Sequence, residues 1–256
     1  MGKAVVGAQL YTVREFTKTL DGVKSSLDRV AEIGYQAVQL SGFGPVDAGD
    51  VAKALESAGL VVASTHTGWD RFLNDLDAVI EEHHLWGCEH PAIGGLPKEY
   101  YSLEGLERFK NELIPVAERL AEAGMTFSYH NHNHEFARYD GKLWIERLYD
   151  DIGPEYLKAE LDVYWVQAGG GDPTYYVAKY AGRQPLLHLK DMAITPEREL
   201  RFAEVGEGNL NWGAILPAAK RAGVQWYLVE QDQCYGRDPF ESLAISYRNL
   251  KSWGLE

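Results

Sequence analysis

Four polar residues far apart in the chain hold the same place in a repeating pattern: His130, Asp162, His188 and Glu230 each close a short apolar run. Two carboxylates with one or two imidazoles make a mixed oxygen and nitrogen donor set. Such a set suits Mn²⁺, Co²⁺, Zn²⁺ or Fe²⁺ and is a poor match for a thiolate-loving ion. One divalent metal ion is therefore the expected cofactor. Glu230 is the candidate base, a carboxylate that a neighbouring cation keeps ionised. His132, two residues beyond His130, and Lys190, two beyond His188, share a strand face with those residues. Together with His66, they are candidate acids or oxyanion partners. Any one of these side chains alone would read as a hydrogen-bonded interior residue; coincidence of strand position and facing favours ligation. Gln9, Tyr11, Gln39, Trp69 and Trp165 stand at or just past strand ends, where amides and aromatic faces can contact a sugar.

The elements that must position these groups follow from hydrophobic periodicity. Apolar runs predict eight strands: 5–10, 35–40, 60–65, 88–93, 125–130, 157–161, 186–189 and 226–230. Amphipathic stretches separate them, the clearest from Leu103 to Ala121. Glycines 34, 59, 87, 124 and 223 each follow a helix-like segment and turn the chain into the next strand. Alternation then sorts the faces. Leu157, Ala159 and Leu161 face helices, so Lys158, Glu160 and Asp162 point inward. By the same rule Leu187 and Leu189 face outward, opposite His188 and Lys190, and Tyr227 and Val229 face outward, opposite Glu230. His66, Gln9 and Tyr11 likewise turn inward. Eight alternations over this length predict an α/β fold, a single (β/α)8 TIM barrel spanning residues 1–256, with catalytic groups at the C-terminal strand ends. An open doubly wound sheet is the alternative, but no glycine-rich phosphate loop follows the first strand.

Composition narrows the partners. The chain has 256 residues, 45% hydrophobic, and a net charge of −13. That is enough apolar material for a large core, and no basic face exists to bind nucleic acid. Apolar stretches are strand-sized and the N-terminus lacks a signal-peptide core, so neither membrane insertion nor secretion is expected, and a cytoplasmic location is. Cys88 and Cys234 are too few for a disulfide framework and read as small interior residues.

Several motifs extend this reading: Gly7 to Arg14 (GAQLYTVR), Tyr129 to Phe136 (YHNHNHEF), Leu161 to Trp165 (LDVYW), His188 to Asp191 (HLKD), Gly206 to Trp212 (GEGNLNW) and Val229 to Asp232 (VEQD). With them the chain resembles, over nearly its whole length, the sugar phosphate isomerase/epimerase family. These are xylose isomerase-like TIM barrels that include inosose dehydratase and ketose epimerases. The resemblance implies one divalent metal held at the ends of strands five to eight, carried here onto Asp162, His188 and Glu230. It also suggests a homodimer or homotetramer. The fifth-strand position departs from the epimerase pattern, because His130 stands where those enzymes have a glutamate. Either His130 or Glu135, reaching back from the loop, completes the metal set.

A cation on the carbonyl and adjacent hydroxyl of a keto sugar stabilises the enediolate formed by proton loss. From it follow epimerisation, aldose–ketose isomerisation or dehydration. The expected function is thus a metal-dependent isomerase, epimerase or dehydratase acting on a neutral keto sugar or a polyol-derived ketone such as an inosose. An apurinic endonuclease-like phosphodiesterase and a catalytically idle sugar-binding barrel are the rival readings.

Overall fold

A computed structural model describes residues 4–255. Eight parallel strands close into a barrel: Val5–Gln9, Ala37–Leu40, Val61–His66, Pro91–Ile93, Ser128–His130, Lys158–Asp162, Leu186–Leu189 and Trp226–Val229. The first pairs with both the second and the eighth, so the barrel has no free edge. Around it run helices whose termini the sequence marks. Thr19 and Ser102 cap Leu20–Ile33 and Leu103–Glu122 through their hydroxyls, and Gly59 (φ 68°) ends Ala48–Ala58 in the left-handed conformation glycine tolerates.

The fourth and fifth strands are shorter than the apolar runs suggest. Cys88 and Met125 donate their N–H groups back to His83 and Leu120, completing helix ends, and so cannot join the ladder at those points. Two antiparallel ribbons that the periodicity does not announce also form. Arg138–Tyr139 pairs with Lys142–Leu143 around Asp140-Gly141, whose φ values of 48° and 80° make the primed turn that such a dipeptide favours. Asp191–Ile194 pairs with Leu200–Ala203 beyond the seventh strand.

Apolar packing is concentrated outside the barrel wall. A large cluster between strands and helices includes Val38, Phe109, Trp144, Leu161, Leu189 and Tyr227. Inside the barrel the apolar plug among the described residues is Ala37, Ala63, Leu186 and Leu228, flanked by Val5 and Trp226. Above it the lumen is polar, with Gln9, Gln39, Ser64, His130, Glu160 and His188 all buried.

Candidate active site

Strand alternation delivers most of these side chains, but the third strand needs a correction of phase. Leu60 and Val62 belong to the outer cluster, so strict alternation would send Ser64 and His66 outward too. The ladder with the second strand slips between Val38 and Gln39, which pair with Val62 and Ser64, leaving Ala63 as the extra residue of a bulge. Ala63 therefore joins the inner plug, Thr65 turns to His83 on the outer helix, and Ser64 and His66 face the lumen.

The expected ligands converge. Donor atoms of His130, Asp162, His188 and Glu230 lie within 4.8 Å of one another, and all four residues are buried. His188 Nδ1 is 3.0 Å from Glu230 Oε2 and 4.0 Å from Asp162 Oδ2, and His130 Nε2 is 3.9 Å from Asp162 Oδ2. Asp162 Oδ2 is buried and faces the Lys190 ammonium at 2.9 Å. Its other oxygen caps the helix Val163–Ala168 through the Trp165 N–H. The donor types, two carboxylates and two imidazoles, fit a divalent cation. Lys190 Nζ stands at the same carboxylates, 2.9 Å from Asp162, 2.9 Å from Glu230 and 2.8 Å from Asp232. Burial pushes the Asp162 carboxyl up to about 6 against the pull of Lys190. At Glu230 burial acts the same way, but Lys190 and His188 outweigh it and hold that carboxyl well below its usual range.

Glu135 lies in a separate group with His132 and His134. It is fully buried, accepting from the Tyr129 hydroxyl at 2.8 Å and the His132 N–H at 2.9 Å. Burial pushes its carboxyl up to about 7. A folded-state value above the unfolded one of about 4.3 means a contribution to stability that is lost as pH rises from roughly 4 through 7. Glu135→Gln is accordingly expected to flatten the fall in melting temperature between pH 5 and pH 8. An unchanged pH dependence in that variant would contradict the assignment.

The other expected residues take varied places. His66 is pinned at both nitrogens, 2.6 Å from Glu160 and 3.2 Å from the Gln9 amide, while the Gln9 carbonyl accepts from the Tyr11 N–H. Burial and the Lys190 charge push the His132 imidazole down to about 3, so it is a neutral ring. That ring lies 5.3 Å from Trp165 between centroids. Tyr11 is exposed beneath the Arg14 guanidinium, and Trp165 lies 5.4 Å from Lys190 Nζ, so both are mouth aromatics. Gln39 sits deeper than expected, donating to Glu160 at 2.9 Å and to Ser64 at 3.1 Å.

Trp69 is not at the mouth. It opens the helix Trp69–Asn74, which folds its ring back onto Phe72, Phe109 and Phe127, leaving 3% exposed. No face remains for a sugar. Trp69→Ala is expected to cost about 3–5 kcal/mol of stability, as for other large core truncations, read by urea denaturation.

Glu160 is the residue that strand position alone did not select. Its inward facing was legible, but it lies one step below the strand end. It accepts from Gln39, Ser64 and His66 and is 2.9 Å from His188 Nε2. Burial would raise its carboxyl, yet His66 and His188 bring it down to about 2. Asp191, from the HLKD motif, has an organising role: its carboxylate accepts the N–H groups of Gly206, Gly208 and Leu210 and the Trp212 indole N–H, shaping the loop that borders the mouth. A cavity of about 760 Å³ lined by Ala4, Leu216, Tyr227 and Trp253 has no carboxylate, imidazole or thiol among the described residues that line it.

A family model described as the xylose isomerase-like TIM barrel matches residues 27–243, and the chain belongs to that family. It is similar to the rhizopine catabolism protein MocC of Rhizobium meliloti, 23% identical over 263 residues, covering 89% of this chain and 79% of that protein. Among solved structures, a sugar phosphate isomerase/epimerase from Parabacteroides distasonis superposes with a TM-score of 0.81 at 26% identity, covering 98% of this chain and 94% of that one. An L-ribulose 3-epimerase superposes with a TM-score of 0.76 at 20% identity, again over 98% and 94%, a likeness of fold. Among the described residues no helix is long and apolar enough to cross a membrane.

Proposed function

We propose that this protein is a divalent-metal-dependent isomerase, epimerase or dehydratase of a keto sugar or polyol-derived ketone. The observation that carries the reading is the convergence of His130, Asp162, His188 and Glu230 at the C-terminal mouth of the barrel. A cation bound there supplies the positive charge that acidifies the C–H bond beside the substrate carbonyl and steadies the enediolate.

The chain's own groups do the rest. Glu230, held ionised, takes the carbon-bound proton at a carboxylate oxygen. Lys190, its ammonium held among Asp162, Glu230 and Asp232, keeps Glu230 ionised and adds positive charge near the oxygen on which negative charge develops. His132, neutral and with Nδ1 unpaired, borders the same space, and Tyr11 and Trp165 offer aromatic faces to a small ring. His66 is tied to Glu160 and Gln9, which suits it to holding an orientation rather than releasing a proton. A proton returned to the opposite face, a proton returned to the other carbon, or loss of a β-hydroxyl distinguishes the three outcomes.

Incubating a panel of keto sugars and inososes with the protein in D₂O tests this. We expect deuterium at the carbon beside the carbonyl, loss of that exchange on chelation, and its return with Mn²⁺ or Co²⁺. Absence of exchange on every substrate would mark an idle sugar-binding barrel.

A further inference from the structure

Behind the mouth set lies a second convergence of donors. His66, His130, Glu160 and His188 also bring ligand atoms within 4.8 Å of one another. From Glu160 Oε1 the separations are 2.6 Å to His66 Nε2, 2.9 Å to His188 Nε2 and 3.7 Å to His130 Nδ1. A four-coordinate zinc ion with bonds of about 2.0–2.1 Å spaces its ligand atoms roughly 3.3 Å apart. The observed values bracket that edge. His188 Nε2 has Glu160 beside it at 2.9 Å, whereas His130 Nδ1 is buried with no hydrogen-bond partner. Its ring is essentially inaccessible, and such atoms are seldom left unpaired.

The front set has a different spacing. Its separations are 3.0, 3.9 and 4.0 Å, longer on the whole than those around Glu160 Oε1. It carries two carboxylates and two imidazoles, against one carboxylate and three imidazoles behind.

We propose that the barrel has a second, deeper cation position, built from His66, His130, Glu160 and His188, which takes Zn²⁺ in competition with an ion at the mouth. Competition follows from the chemistry of the shared rings. His130 and His188 face the mouth through Nε2 and Nδ1 and face Glu160 through Nδ1 and Nε2. A neutral imidazole has one lone pair. An ion behind claims both lone pairs and turns N–H groups toward Asp162 and Glu230, where Lys190 already neutralises the carboxylates. Zinc bound there is out of reach of substrate and removes two ligands from the mouth. The competition, though not the deep position itself, rests on the function proposed above.

Anomalous diffraction from crystals of the protein soaked with Zn²⁺ or with Mn²⁺ tests it directly. Zinc is expected about 2.0–2.2 Å from Glu160 and His66, and manganese among Asp162, His188 and Glu230. In titrations, His66→Gln should weaken zinc about tenfold or more while leaving manganese within about threefold, and Asp162→Asn should do the reverse. Zinc found on Asp162 and Glu230, or His66→Gln without effect on zinc, overturns the deep position and leaves the mouth intact. Zinc behind with no manganese at the mouth overturns the mouth reading instead. Failure of both ions to bind the wild-type protein overturns both.

Discussion

Glu230→Gln is expected to abolish measurable hydrogen exchange on a keto sugar, a loss of about 10²–10⁴-fold, while the protein stays folded. Glutamine has the same shape and its carbonyl can still accept from His188 Nδ1, which now lies 3.0 Å from Glu230. What disappears is the negative charge that both ligates and takes the proton. Exchange kinetics in D₂O beside circular dichroism of the same sample read the two effects separately. A variant that exchanges at the wild-type rate would remove Glu230 from the chemistry.

Lys190→Met is expected to destabilise the chelated protein by about 3–5 kcal/mol at pH 8, because it strips the counter-charge from three carboxylates at once. Asp162 is already up at about 6, and without the ammonium the folded-state values of Asp162, Glu230 and Asp232 all move upward. A folded-state value above the unfolded one gives stability below the unfolded pKa that is lost as pH rises. The deficit against wild type should therefore grow from about pH 4 upward and be smaller at pH 5 than at pH 8. A divalent cation should recover part of it by replacing the missing charge. Urea denaturation at both pH values, with chelator and with Mn²⁺, checks each limb. An equal loss at pH 5 and pH 8 would show that Lys190 contributes packing rather than charge.

The fold and the mouth set were legible in the sequence because strand alternation is a local signal. Leu157, Ala159 and Leu161 announce by their own apolarity that Glu160 and Asp162 face the other way, and the seventh and eighth strands say the same of His188 and Glu230. His66 faces inward as expected, yet through a bulge at Ala63 set by pairing with a neighbouring strand. A ladder slip of that kind leaves no mark in the periodicity of either strand. Glu160 was placed on the correct face, but its importance depends on His66, Ser64 and Gln39, which reach it from two other strands. Trp69 was misplaced because the direction of a short helix after a strand is decided by the aromatic cluster it meets, on residues as distant as Phe109 and Phe127. The Asp140-Gly141 hairpin carried a readable signal, a turn dipeptide flanked by residues able to pair.

The division of apolar packing between a large outer layer and a four-residue inner plug has a consequence for descent. The groups that choose the reaction contribute little to the hydrophobic stability that keeps the wall closed. A lineage can therefore exchange lumen residues, and with them the ion or the fate of the intermediate, without rebuilding the scaffold. His130 stands at such a position, closing a strand whose ladder with the sixth strand runs without a slip.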